Sequence, residues 1–160
     1  MNNIAVVPFN PIDLLGFDVQ EEQQELFQEC TTDEHIIAYG KVLLEIAAED
    51  ISGVPCIWTA ITPEDGVIFV GGLLRITSTT EECITLWSKK AFKYSKTIVA
   101  GIQQKLEESQ AIRHQATVKV GFKRAERFLE GLGFQKEGVM RAFNPDGSDC
   151  SLYARINNGE

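Results

Sequence analysis

The spacing of apolar residues changes twice in the last third of the chain. Over residues 112–120 small and β-branched residues alternate with polar ones, Ala116, Val118 and Val120 in one phase and Thr117 and Lys119 in the other, which predicts a half-buried strand. From Phe122 the period becomes that of a helix. Phe122, Ala125, Phe128, Leu129 and Leu132 form one apolar stripe, with Lys123, Arg124, Arg127 and Glu130 off it. Gly133 supplies the left-handed conformation that closes a helix end, so a new strand starts at Phe134. Residues 134–143 and 151–156 then flank Asn144-Pro-Asp-Gly147, a hairpin loop in which Pro fixes φ and Gly accepts a positive φ.

The same reading carried back along the chain supplies the other elements. Residues 4–7 are a β-rich run ended by Pro8, which predicts an edge strand. Asn10-Pro11 starts a helix, Asn as cap and Pro at the first helical position, and one apolar turn of Ile12, Leu14 and Leu15 ends at Gly16. The Glu/Gln-rich residues 19–30 predict a thinly anchored helix, held by Leu26 and Phe27. A firmer helix follows, capped by Thr32 or Asp33, with Ile36, Ile37, Tyr39, Leu43, Leu44 and Ala47 inward and Gly40 weakening its middle. From Val54 the period is two. Residues 56–62, 67–77 and 83–87 predict a three-stranded antiparallel meander with turns at 62–66 and 78–82. Gly71-Gly72 inside its second strand predicts either a bulge or the close approach of a ligand. A helix capped by Ser95 follows, with the stripe Ile98, Val99, Ile102 and Leu106. The fold class is therefore mixed α/β, with helices on a largely antiparallel sheet.

Composition narrows the function classes. A chain of 160 residues and 17.8 kDa, 44% hydrophobic and 24% charged, reads as one soluble globular domain over residues 1–160. The formal charge of −8 is uneven: residues 1–50 carry eleven acids against Lys41 alone, a net of −10, which leaves about +2 for the remainder. An acidic N-terminal third argues against nucleic acid or an anionic membrane as its partner, and a solvated acidic face explains it. The first residues have no basic region before their short apolar run, so no secretory signal peptide is expected. Cys30, Cys56, Cys83 and Cys150 are widely spaced and read as reduced thiols in a cytosolic setting, without the spacing of a metal site. His35 and His114 read as surface or half-buried imidazoles.

The run Phe122-Lys-Arg-Ala-Glu-Arg-Phe-Leu-Glu-Gly-Leu-Gly-Phe134, followed by Glu137-Gly-Val-Met-Arg141 and Tyr153-Ala-Arg155, resembles the C-terminal half of the GNAT family of acyl-CoA-dependent N-acyltransferases. That family reads Asn-x-x-Ala-x-x-Phe-Tyr-x-x-x-Gly-Phe there, and then a hairpin. Its Asn falls on Phe122, and the Tyr that often serves as general acid falls on Leu129. Within the family, the ending Leu132-Gly-Phe134, Glu137-Gly138, Asp146-Gly147 and Leu152-Tyr-Ala-Arg155 is similar to small tailed-phage and prophage proteins related to internal virion proteins. The resemblance implies a GNAT-like α/β (α+β) domain with a mostly antiparallel sheet of about seven strands and helices on both faces. It also implies a host-cytoplasmic or virion location.

In such enzymes the turn between the strand ending at Trp87 and the following helix cradles the pyrophosphate of coenzyme A. Here it reads Ser88-Lys-Lys-Ala-Phe-Lys-Tyr-Ser95-Lys96, and four of the nine lysines, Lys89, Lys90, Lys93 and Lys96, fall in it. A helix N-terminus with a local positive potential suits a phosphate-bearing ligand. No glycine lies between Gly72 and Gly101, so the family's Arg/Gln-x-x-Gly-x-Gly/Ala motif is absent. The expected acetyl-CoA site therefore comprises main-chain groups of Leu86, Trp87 and Ser88 for the pantetheine arm, with Lys89, Lys90, Lys93, Ser95 and Lys96 for the phosphates. An N-acyltransferase also needs a base for the amine and a donor near the thioester. Glu64, Asp65, Glu81 and Glu82, expected in turns, are the available bases; Tyr94, Tyr153 and Ser95 are the available donors. The alternative is a non-catalytic GNAT-fold protein acting in virion assembly or in binding a phage or host protein. Fold alone does not choose between them.

Overall fold

The computed structural model describes residues 3–157. Strands β1 (Ala5–Pro8), β2 (Ile57–Thr62), β3 (Gly66–Arg75) and β4 (Thr80–Trp87) form an antiparallel meander. Strand β5 (Arg113–Lys119) lies parallel to β4, and β6 (Gln135–Met140) and β7 (Cys150–Ile156) complete one seven-stranded sheet in the order β1-β2-β3-β4-β5-β7-β6. Pro8 sits on the outer edge, where its lack of an N–H costs nothing.

Side chains of adjacent strand residues point to opposite faces, and the core divides accordingly. On one face Leu74 and Leu86 pack with Leu43 of helix α1 (Asp33–Ile46) and with Leu14 of the 3₁₀ turn Pro11–Leu14. On the other, Leu73, Ala116 and Val118 pack with Leu106 of α2 (Ser95–Glu108) and Leu129 of α3 (Lys123–Gly131). Helices on both faces of a mostly antiparallel sheet are what the periodicities and the resemblance predicted.

Local signals hold in detail. Asn10 and Asp13 form a capping box around Pro11, and Thr32 Oγ1 accepts the His35 N–H at 3.2 Å, so Thr32 is the cap of α1. Gly133, at φ +90°, ends α3, where the Phe134 N–H reaches back to Leu129 O. The Glu/Gln-rich segment is a 3₁₀ stretch, Glu21–Phe27; Phe27 is partly buried against the α1 side of the core, while the side chain of Leu26 lies outside what is described.

Five expectations are corrected. Glu81 and Glu82 belong to strand β4, not to a turn, because β4 begins at Thr80. Ser95 is not a cap: its φ of −55° and ψ of −40° are helical, since the chain has already turned through the 3₁₀ stretch Ala91–Tyr94. His114 shares the phase of Ala116 and Val118 and is completely buried, whereas Val120 lies past the end of β5 and is about half exposed. Gly71-Gly72 makes no bulge; β3 pairs regularly with β4 there, and the irregularity lies at Ala60/Ile61. The close approach at the two glycines comes from the protein itself. A Cβ on Gly71 would lie 2.6 Å from Phe69 Cε1, and one on Gly72 2.9 Å from Ile57 Cγ1. Gly40, expected only to weaken α1, is likewise a contact point: a Cβ there would meet Pro11 at 2.8 Å.

Candidate functional site

Strands β4 and β5 are paired only at Thr80–Arg113, Glu81–His114 and Glu82–Gln115. Beyond that point β4 stays with β3 as far as Trp87, and β5 stays with β7 as far as Lys119, so the sheet opens into a wedge. The wedge is part of a cleft of about 1030 Å³, lined among others by Thr85, Trp87, Thr117, Lys119, Arg124 and Phe128. A strand that loses its partner leaves main-chain N–H and C=O groups to be satisfied. The Ser88 N–H goes to Ile68 O on β3 at 2.9 Å, and with the period of two Leu86 faces the same way. The groups directed into the wedge are therefore those of Thr85, Trp87 and Lys89.

Those groups meet the chain's own residues 18–23. Trp87 N–H donates to Gln23 Oε1 at 2.9 Å, and Gln23 Nε2 donates to Thr85 O at 2.5 Å. Gln20 N–H donates to Trp87 O at 2.8 Å, and the Lys89 N–H to Asp18 O at 2.9 Å. Gln20 also donates through Nε2 to Gln23 Oε1 at 2.8 Å and is itself held by Arg124 at 3.2 Å.

At the end of β4 the chain turns into α2 around Ser88. Its Oγ accepts the Lys90 N–H at 3.2 Å and its carbonyl accepts the Ala91 N–H at 3.0 Å, which closes the turn ahead of the 3₁₀ stretch Ala91–Tyr94. All four lysines of this loop are exposed. Lys93 lies 2.7 Å from Asp65 and Lys89 lies 3.4 Å from Asp18, while Lys90 and Lys96 form no ion pair among the described residues. Phe92 stacks on Trp87 with ring centroids 5.9 Å apart, and the Arg124 guanidinium sits 4.0 Å over the Phe92 ring. The loop thus carries two exposed ammonium groups without an ion pair among the described residues, while Trp87, Phe92 and Arg124 line the cleft itself.

No known family profile and no curated protein sequence matches the chain. Solved structures do. A GNAT-family acetyltransferase from Bacillus anthracis superposes with a TM-score of 0.68 at 16% identity, covering 96% of this chain and 94% of that one. The ribosomal-protein-S5-alanine acetyltransferase of Vibrio fischeri gives 0.65 at 14%, covering 99% and 95%. RimJ of Mycobacterium smegmatis, solved in complex with CoA-disulfide, gives 0.68 at 13%, covering 98% and 83%. The chain has the GNAT fold.

Around the wedge of this GNAT fold the remaining candidates separate. On the α1 side, Glu82 lines the cleft together with Tyr39. Partial burial raises the Glu82 carboxyl above the usual carboxylate range, and burial followed by the nearby Cys30 raises the Tyr39 phenol. A carboxyl that is reluctant to ionise is a stronger base once it has ionised, and Tyr39 stays a proton donor. Ser95 also lines the cleft. The other candidates lie elsewhere. Tyr94 OH donates to Asp65 at 2.8 Å under the β2–β3 turn, Glu64 is exposed, and Tyr153 is buried in the core with Leu129. Glu81 faces away from α1, 3.2 Å from His114 Nε2 and 2.8 Å from Ser109 Oγ. Sequence reading placed Tyr39 in a core stripe and passed over Gln20 and Gln23, for which a polar segment carries no signal.

Proposed function

We propose that the chain is an acyl-CoA-dependent N-acyltransferase, with acetyl-CoA as donor, acting as a single domain on an amine. The observation that carries the reading is the stand-in made by Gln23. Its carboxamide accepts from Trp87 N–H and donates to Thr85 O, the two hydrogen bonds that an amide of a pantetheine arm lying in the wedge requires. The β4 edge therefore fits that chain chemically, and the TM-score of 0.68 to a relative solved with CoA-disulfide supports it. Lys90 and Lys96 hold the phosphates, with Ser95 at the start of α2, while Lys89 and Lys93 shape the loop through Asp18 and Asp65.

When bound, acetyl-CoA supplies an activated thioester carbonyl. Glu82 takes the proton of the attacking amine from the α1 side, and Tyr39 is the donor within the same cleft for the departing thiolate. Positioning across the wedge supplies the remainder of the rate. A phage or prophage source, and a place in the host cytoplasm, belong to this proposal through the resemblance of the C-terminal ending.

One observation favours a second reading, a non-catalytic GNAT-fold component of virion assembly or of a complex with a phage or host protein. The wedge edge is already hydrogen-bonded internally, and Phe92 rather than glycine stands in the phosphate loop. The melting temperature with and without millimolar acetyl-CoA separates the two. Ligand at about 100 times its Kd stabilises by about 2.7 kcal/mol, a shift of several degrees for a domain of this size. A shift together with thiol release in the presence of amines supports the enzyme. No shift, with the protein present stoichiometrically in purified particles, supports the second reading.

A further inference from the structure

We infer that residues 18–25 are an internal cover over the acyl-CoA groove, competing with the ligand for the free edge of β4 and opening to admit it. This rests on the acyl-CoA reading and adds a gate to it. At the end of β4 the segment satisfies four of the main-chain groups that face the wedge: Thr85 O and Trp87 N–H through Gln23, Trp87 O through the Gln20 N–H, and Lys89 N–H through Asp18 O. The segment also reaches the opposite wall. Glu25 lies 2.8 Å from Lys119 on β5, and Glu22 lies 3.7 Å from Arg124 on α3, so the cover spans the opening.

Its anchoring is light where it bridges. The stretch Glu21–Phe27 is 3₁₀ rather than α-helical, and its bridging contacts are exposed or half-exposed ion pairs of the kind that salt weakens. On its N-terminal side Gly16, at φ +68° with open space where a Cβ would be, offers a pivot. The opening signal is chemical. Arg124 stands over Phe92 of the phosphate loop, so an anion docking there competes with Glu22 for the guanidinium, and Arg124 in turn holds Gln20. Loss of Gln20 releases Gln23 and with it the strand edge, which the ligand's own amides then take.

Hydrogen exchange on the wild-type protein and titration with coenzyme A test this together. The Ser88 amide, which faces β3, is the internal control for the Trp87 and Lys89 amides, which face the cover. The cover predicts that Trp87 and Lys89 exchange roughly 100-fold faster than Ser88 through local opening, and that Gln23→Ala binds coenzyme A about 5- to 10-fold more tightly than wild type. Equal exchange at all three amides means that the segment never opens and overturns the gate, whatever coenzyme A does. Equal affinities of wild type and Gln23→Ala overturn the gate alone and leave the acyl-CoA reading standing. No binding to Gln23→Ala, with its Trp87 amide exchanging freely, overturns the acyl-CoA reading and the competition with it.

Discussion

Lys93 Nζ lies 2.7 Å from Asp65 Oδ2, so the turn between β2 and β3 holds the loop that leads into α2. Tyr94 OH donates to the same carboxylate at 2.8 Å. The hydrogen bond from Lys93, and then that from Tyr94, holds the Asp65 carboxyl below the usual carboxylate range, and Lys93 is raised in return. This pair assigns different tasks to lysines that look alike in sequence.

Lys90 and Lys96, which have no ion pair among the described residues, are expected to carry the anion affinity. Replacing each by Ala costs about 1 kcal/mol, roughly fivefold in Kd for coenzyme A, and flattens the salt dependence of binding. Lys93→Ala acts differently, by loosening the loop. Because Asp65 is depressed in the folded state, its contribution is complete above the unfolded carboxylate pKa and is lost as pH falls through the folded value. Thermal melts of Asp65→Asn against wild type should differ at neutral pH and converge in acid. Titrations at low and high salt that rank Lys93→Ala level with Lys90→Ala would sink this division.

Glu82 has the opposite sign. Its carboxyl is raised by burial, so the folded protein binds protons more readily than the unfolded chain, and stability falls as pH rises from the unfolded pKa to the folded one. Glu82→Gln is therefore expected to melt higher than wild type at neutral pH, with the gap closing below the carboxylate range. If Glu82 is the base, the same change lowers acyl transfer by about 10²- to 10⁴-fold while leaving coenzyme A binding in place. A variant that melts higher and keeps full activity would retain the burial argument and remove the catalytic one.

His114 is completely buried, its Nε2 3.2 Å from the Glu81 carboxylate that Ser109, just past α2, also holds. Burial alone would raise Glu81, but His114 and the hydrogen bond from Ser109 outweigh it and leave the carboxyl below its ordinary range. His114→Ala removes volume and leaves Glu81 half-buried with one partner fewer, an expected loss of about 2 to 4 kcal/mol in urea unfolding. Changing Glu81→Gln as well should recover part of that loss, since no unpaired charge then remains; simple additivity of the two changes would contradict the pairing.

The edge of the Phe69 ring crowds Gly71, and a methyl group at residue 71 has no room while the ring is there. Gly71→Ala is expected to cost about 1 to 3 kcal/mol. In a Phe69→Leu background the penalty should largely vanish, and an unchanged penalty would place the constraint in the backbone instead. Gly71 is thus a packing device on the α2 face of the sheet, and Gly72, against Ile57, on the α1 face.

Much of the fold was legible because it rests on near neighbours. The alternation of Ala116 and Val118, the stripe from Phe122 to Leu132, the caps at Asn10 and Thr32 and the stop at Gly133 all involve residues within a turn or two of one another. Their energies depend little on what the distant chain does. The misplacement of Ser95 came from the same locality: a serine before an apolar stripe reads as a cap, and the preceding 3₁₀ turn has no comparable sequence signal.

The site was legible only in outline. The lysine cluster and the strand ending at Trp87 were visible, because composition and period are local properties. Tertiary structure alone decided that β4 and β5 part after Glu82, that Trp87 rather than Leu86 or Ser88 faces the wedge, and that Glu82 and His114 lie on opposite faces of the sheet. Gln23 and Thr85 are 62 residues apart, Lys119 and Glu25 94, and Arg124 and Gln20 104. A glutamine in a polar segment looks like solvent-facing filler until the sheet opens beside it. The sequence by itself determined the elements and their order, through short-range periodicity and turn chemistry; the partners of its polar groups were set by where the sheet leaves peptide bonds unpaired, which no stretch of chain encodes alone.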